Sequence, residues 1–157
     1  VVRIHGGPSS QSAFAFDFER ELLAAQGWAV LAPNYRGSSG RGRAFTLAIF
    51  DDYGNKELRD IHGMVDQLVA SGVADSTRLG VGGWSYGGLL TDCLIVADSR
   101  FKAATSGAGA GDSGIAAARN AGEGGRAELD AAGEGVGVLA VVAVHGVAWV
   151  IGWVTTW

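Results

Sequence analysis

One serine of the chain is placed for nucleophilic chemistry. Ser85 lies in the segment 83–87, Gly-Trp-Ser-Tyr-Gly, which follows a short apolar run at 78–82 and precedes a helix-like run at 89–97. A serine between two glycines at a sharp turn from a strand into a helix has the G-x-S-x-G pattern of a nucleophile elbow. A Cβ at either glycine would clash where strand and helix approach each other. The pattern therefore predicts that Ser85 attacks a carbonyl and forms an acyl-serine.

Two backbone N–H groups are candidates for binding the negative charge that develops on the carbonyl oxygen. The N–H of Tyr86 is at the start of the predicted helix, where the helix dipole favours a negative charge. The N–H of Gly7 lies in a His-Gly-Gly-Pro segment, 5–8, that follows an apolar strand end. Such a loop after a strand supplies the second oxyanion donor. We expect His5 itself to be a packed loop residue, since in this arrangement the base follows the serine in the chain.

Strands and helices that would position these groups alternate along the chain. Residues 28–32 form a short apolar run closed by Pro33, which is typical of a buried parallel strand. One helix face is predicted from apolar residues at helical spacing, namely Leu58, Ile61, Val65, Leu68 and Val69. We expect Met64 and Leu68 to lie in the core, together with a second stripe formed by Phe14, Phe18 and Leu22. The alternation predicts parallel βαβ units and an α/β fold.

Six segments, in the same order and with similar spacing, resemble the prolyl oligopeptidase family of serine peptidases, most closely its acylaminoacyl-peptidase and dipeptidyl-peptidase-like branch. The matching segments are 5–8, 33–40, 51–54, 75–80, 82–88 and 100–104. Asn-Tyr-Arg-Gly-Ser and Gly-Trp-Ser-Tyr-Gly-Gly are the most specific of them, and the pair favours this family over esterases and dienelactone hydrolases. The resemblance covers residues 1–109.

The resemblance implies an incomplete α/β-hydrolase fold, with a mostly parallel sheet and flanking helices. It implies a peptidase that acts on peptides through an acyl-serine and needs no cofactor or metal. In this family a β-propeller precedes the catalytic domain. We therefore expect the first strands of the sheet and the propeller to lie outside this sequence, as missing portions with which the chain would associate.

The aspartate or glutamate and the histidine that would complete a catalytic triad with Ser85 are harder to identify. The order in this fold is serine, then aspartate or glutamate, then histidine. His145 is the only histidine after Ser85, and Asp130 precedes it, so these two satisfy the order. Their spacing is short, because two further strand-helix units should separate the serine from the histidine. Two functions stay open: a segment of a serine peptidase, or a catalytically inactive remnant tethered to a membrane by an apolar tail.

The chain divides by composition into a partial catalytic domain at 1–109, a Gly/Ala-rich linker at 110–135 and an apolar tail at 136–157. Three interpretations of the tail compete. It is a sequence that does not naturally continue the domain, such as a frame-shifted reading, or a hydrolase strand ending at His145-Gly146, or a membrane helix, since about 20 apolar residues span a bilayer. We favour them in that order.

Composition excludes several other classes of protein. The net charge of −4 and the lack of a basic stripe argue against nucleic-acid binding. The single cysteine, Cys93, excludes an internal disulfide framework and suits a reducing compartment such as the cytoplasm. The spacing of cysteines and histidines does not match a metal site, and we expect Cys93 to be a small packed hydrophobe.

Overall fold

The computed structural model describes residues 1–109 and two further short strands at 141–144 and 147–150. In chain order the elements are β1 (Val2–Ile4), α1 (Phe18–Ala25), α2 (Arg43–Thr46), a 3-10 turn (Leu47–Ile49), α3 (Lys56–Ala70), β2 (Leu79–Trp84), α4 (Tyr86–Ala97), β3 (Phe101–Gly107), β4 (Val141–Val144) and β5 (Val147–Val150). Strands β1 to β3 form one sheet and β4 and β5 another.

The first sheet is parallel, with β2 in the centre and β1 and β3 on either side. Ile4 pairs with Gly83, and Trp84 pairs with Gly107. The carboxyl ends of β1 and β2 therefore meet at the same edge of the sheet, where ligands of α/β sheets bind. This arrangement confirms the predicted α/β fold, and it places the loop after β1 beside the turn after β2.

Residues 28–32 were expected to form a strand, but only Leu31 forms a bridge to the sheet, next to a hydrogen bond of 2.6 Å from the Val1 amino group to Ala29 O. Leu31 makes an isolated parallel bridge to Val2, with hydrogen bonds of 2.8 Å from Arg3 N to Leu31 O and from Leu31 N to Val1 O. The next residue whose backbone N–H would face β1 is two positions after Leu31, and that residue is Pro33. Because proline has no N–H, the ladder stops there.

The core lies between the sheet and the buried faces of α3 and α4. It contains Val2, Ile4, Tyr35, Leu58, Ile61, Val65, Leu79, Val81, Leu90, Cys93 and Leu94. The predicted face of α3 is confirmed at Leu58, Ile61 and Val65. Met64 and Leu68 were expected in the core, but both are half-buried at the edge of that face. Cys93 is a buried, packed residue as expected, and burial raises the pKa of its thiol to about 11.

The predicted core stripe near the N-terminus was wrong. Phe14 is fully exposed, and Phe18 and Leu22 retain 70% and 51% exposure. The carboxylate of Asp17 accepts a hydrogen bond from Arg20 N and begins α1 at Phe18. Phe14 therefore precedes the helix and does not share a face with Phe18 and Leu22, and none of the residues of α1 is buried.

Within the apolar tail, β4 and β5 pair antiparallel, with Val142 opposite Trp149. The described backbone there is extended, in contrast to the helix that a membrane span over 136–154 would require. Among the residues that the structure describes, no helix is both long and apolar enough to cross a bilayer. The proposed linker at 110–135 lies outside the described residues.

Candidate active site

Ser85 occupies a strained turn between β2 and α4. Its φ of 57° and ψ of −120° are sparsely populated by residues other than glycine. Two backbone hydrogen bonds hold this conformation, from Ser85 N to Gly107 O at 2.8 Å and from Leu89 N to Ser85 O at 3.1 Å. Ser85 is exposed. The turn thus has the local geometry that the sequence predicted, and the serine faces solvent at the carboxyl end of the sheet.

The two glycines that flank Ser85 are required by close backbone contacts. A Cβ on Gly83 would lie within 3.0 Å of the backbone of Gly87. A Cβ on Gly87 would lie equally close to the carbonyl group of Ile4, at the end of β1. Real Cβ atoms essentially never approach this closely. Strand and helix can therefore pack at this distance only because both positions lack a side chain.

The Gly6-Gly7 loop lies directly against the serine. A Cβ built on Gly6 would be 3.4 Å from Ser85 Cβ, 4.0 Å from Ser85 Oγ and 3.0 Å from Trp84 O. Gly7 has a φ of 134°, which side chains of L-residues rarely allow. The structure therefore brings Gly7 and Tyr86, the two predicted oxyanion donors, onto segments that flank Ser85.

His5 fixes this loop through both ring nitrogens. Nδ1 is 2.7 Å from Gly6 O, and Nε2 is 2.9 Å from Ser38 Oγ. Since a carbonyl can only accept, Nδ1 carries the proton and Nε2 accepts from the Ser38 hydroxyl. The ring stacks on Tyr35 at 4.5 Å, and burial lowers the pKa of His5, with the hydrogen bond to Gly6 opposing that shift. His5 is thus a packed loop residue, as expected from the sequence.

Tyr86 is the first residue of α4, so its N–H belongs to the group at a helix start that lacks a partner within the helix. Its hydroxyl donates to the carboxylate of Glu57, which is completely buried. Tyr35 is also completely buried and donates to His5 O at 2.9 Å. Sequence reasoning assigned no role to Glu57, and it recognised Tyr35 and Ser38 only as parts of the segment 33–40. The contacts that join them to the site, from Glu57 to Tyr86 and from Tyr35 and Ser38 to His5, span 29 to 33 positions along the chain, so no local spacing could indicate them.

Asp130 and His145, the sequence candidates for the remaining triad positions, lie outside the described residues. His62 lies on α3, with Nε2 3.6 Å from Asp98 Oδ2. Burial lowers the pKa of His62, and the nearby Arg100 guanidinium lowers it further.

Comparisons with known proteins find a family and several peptidases that are similar to this chain. The sequence profile of the prolyl oligopeptidase family matches residues 14–116. An uncharacterized peptidase of Bacillus subtilis, YuxL, is 40% identical over 107 residues, which are 68% of this chain and 16% of that protein. The acylamino-acid-releasing enzyme of Arabidopsis thaliana is 36% identical over 107 residues, which are 68% of this chain and 14% of that protein.

Solved structures of peptidases are also similar to this chain. A puromycin-hydrolyzing peptidase of Mycobacterium tuberculosis superposes with a TM-score of 0.66 at 37% identity, over 68% of this chain and 16% of that one. The acylaminoacyl peptidase of Pyrococcus horikoshii superposes with a TM-score of 0.64 at 33% identity, over 68% of this chain and 18% of that one. The chain therefore spans less than a fifth of the length of these relatives.

Proposed function

Because this chain belongs to the prolyl oligopeptidase family of serine peptidases, we propose that it carries the nucleophile and the oxyanion donors of a peptidase active site. The observation that supports this most directly is the backbone of Ser85, which is strained, held by two hydrogen bonds and exposed beside the Gly6-Gly7 loop. Strain of this kind clusters at catalytic positions.

In the proposed reaction, Ser85 Oγ attacks the carbonyl carbon of a peptide bond, and its proton passes to a general base. The N–H groups of Gly7 and Tyr86 donate to the oxyanion of the tetrahedral intermediate. The C–N bond then breaks, the leaving amine takes up the proton, and an acyl-serine remains. Water attacks this ester, releases the carboxylic acid and restores Ser85. His145 as base and Asp130 as its orienting carboxylate stay predictions from chain order.

Peptides are the proposed substrates. The names of the relatives describe peptidases, and one solved structure among them is an acylaminoacyl peptidase in complex with Z-Gly-Gly-Phe-chloromethyl ketone, a peptide derivative. We propose further that this chain works with additional strands of the catalytic domain and a β-propeller, since its relatives are more than five times longer than the part that matches.

Labelling with a fluorophosphonate tests the proposal. The reagent phosphonylates serines that have an activated hydroxyl and an assembled oxyanion site, so the wild-type full-length protein should be labelled at Ser85. Labelling should disappear in Ser85→Ala. A folded wild-type protein that takes up no label would contradict the proposal and favour the alternative, a catalytically inactive remnant.

Gly6→Ala should slow acylation of Ser85 by a factor on the order of 10², because a misplacement of about 1 Å at a reacting site costs that much. The added methyl would meet Trp84 O at 3.0 Å and Ser85 Cβ at 3.4 Å, which pushes the donor loop away from the serine. The rate constant for fluorophosphonate labelling measures the effect. Gly63→Ala is the matched control, since a Cβ at Gly63 meets no atom within 4 Å apart from its chain neighbours and the backbone of its own helix. Equal labelling rates in the two variants would show that the loop position is irrelevant.

A further inference from the structure

Glu57 is a completely buried acidic residue close to the candidate active site. Its two carboxylate oxygens accept hydrogen bonds from Gly54 N, at 3.3 and 3.2 Å. Oε1 also accepts the hydroxyl proton of Tyr86. A buried carboxylate is costly unless it is hydrogen-bonded in this way. Its position in the first turn of α3 also favours a negative charge there, through the helix dipole.

The partner of Glu57 is the residue that directly follows Ser85. The partly buried side chain of Tyr86 packs against two other tyrosines: Tyr53 lies edge-on at 6.2 Å between ring centroids, and Tyr35 lies tilted at 6.3 Å. Burial and the hydrogen bond to Glu57 raise the pKa of Tyr86, so the phenol keeps its proton and remains a donor. The Tyr86 hydroxyl is therefore bound by a buried acceptor, and the ring is in contact with two neighbouring rings.

Tyr86 also begins α4, so holding its side chain fixes the backbone at the start of that helix. The backbone on the other side is fixed as well, since Ser85 N donates to Gly107 O. We infer that Glu57 is a positioning residue for acyl transfer: by holding the Tyr86 hydroxyl it aims the Tyr86 N–H at the oxyanion formed on attack by Ser85. This inference rests on the function proposed above, and it gives the buried carboxylate a role in the rate of the reaction as well as in packing.

Two single substitutions in the full-length protein separate these roles. Tyr86→Phe keeps the ring and removes the hydroxyl. Glu57→Gln keeps the shape, but it replaces one carboxylate oxygen by an NH2 group, which cannot accept a hydrogen bond from the donor that it faces, Gly54 N–H or Tyr86 O–H. Each should lower kcat for a peptide p-nitroanilide, and the rate constant for fluorophosphonate labelling, by about 10- to 100-fold, with KM changed less than about twofold. The double variant should lose no more than the worse single variant, because both changes break the same link.

Thr91→Val is the matched control. Thr91 is completely buried on the same helix and donates to Gly87 O at 2.8 Å, so its loss removes a buried hydroxyl without touching Tyr86. This variant should melt at a lower temperature and keep the wild-type labelling rate. Circular dichroism establishes that each variant is folded before rates are compared, and Glu57→Gln carries the test alone if Tyr86→Phe is unfolded.

The outcomes distinguish the inference from the proposed function. Wild-type labelling with unchanged rates in Tyr86→Phe and Glu57→Gln would overturn the inference and leave the proposed function intact. A loss in Thr91→Val equal to that in Tyr86→Phe would also overturn it, because destabilisation of α4 would then explain both. Absence of labelling in the folded wild-type protein would overturn the proposed function and the inference with it. A loss confined to KM would contradict positioning of an oxyanion donor, which acts in the transition state.

Discussion

Replacing Ser85 by alanine is expected to lower kcat for peptide hydrolysis in the full-length protein by a factor on the order of 10⁶, as loss of the nucleophile does in other serine peptidases. The substitution removes the atom that, in the proposed reaction, forms the covalent bond to the acyl group. It leaves the backbone hydrogen bonds to Gly107 and Leu89 in place, because these involve main-chain atoms alone. Initial rates on a peptide p-nitroanilide, measured at saturating substrate, give the change in kcat.

The effect of Ser85→Ala should be confined to chemistry. The side chain is exposed, so the free energy of unfolding should change by no more than about 0.5 kcal/mol. Ser99→Ala is the control, since Ser99 is likewise exposed in a turn and its described contact, with Lys102, uses its carbonyl oxygen. Wild-type turnover in Ser85→Ala would assign the nucleophile to another residue. Equal losses in both variants would indicate a general effect on folding.

The elbow could be predicted from the sequence because its constraints are local. The glycines at 83 and 87 are separated from Ser85 by one residue on each side, and the steric conflict that requires Gly83 arises between β2 and the helix that follows it. The conflict at Gly87, with Ile4 of the distant strand β1, is not visible in the sequence. The buried face of α3 was predictable for a similar reason, since Leu58, Ile61 and Val65 repeat at helical spacing. Both patterns can be recognised from residues that are separated by about one helical turn or less along the sequence.

The contacts that support the elbow could not be predicted, because they join distant parts of the chain. The hydrogen bond between Tyr86 and Glu57 spans 29 positions, and the one between His5 and Ser38 spans 33. The sequence shows Glu57 as one charge among several near the start of a helix. Glu57 is completely buried because the turn at Gly54 and the ring of Tyr86 cover its carboxylate. This arrangement is visible only in the folded chain.

Two errors at the secondary-structure level had local signals that the apolar pattern overrode. Asp17 is a favoured helix-start residue, and its presence indicates that α1 begins after it, which excludes Phe14 from the helical stripe. Pro33 was recognised as the end of the run at 28–32, but its lack of an N–H, which stops the pairing with β1, was not taken into account. In the site itself, the roles of Gly7 and Tyr86 as donors, and of Asp130 and His145 as triad partners, stay predictions.

Gly87→Ala should lower the free energy of unfolding by about 3 kcal/mol or more, at the upper end of the range for overpacked sites. The new methyl would collide with the carbonyl group of Ile4 and lie 3.0 Å from His5 O, and both are backbone groups that cannot rotate aside. Relief of this collision requires α4 to move away from the end of β1, which also separates Ser85 from the Gly6-Gly7 loop.

Gly63→Ala, in the open interior of α3, should instead stabilise the protein by about 0.5–1 kcal/mol, as expected for alanine over glycine in a helix. Urea unfolding of both variants measures the two changes in the free energy of unfolding, which should have opposite signs. If Gly87→Ala unfolds within 1 kcal/mol of the wild type, the close approach of strand and helix that lifts Ser85 out of the sheet is not present in solution.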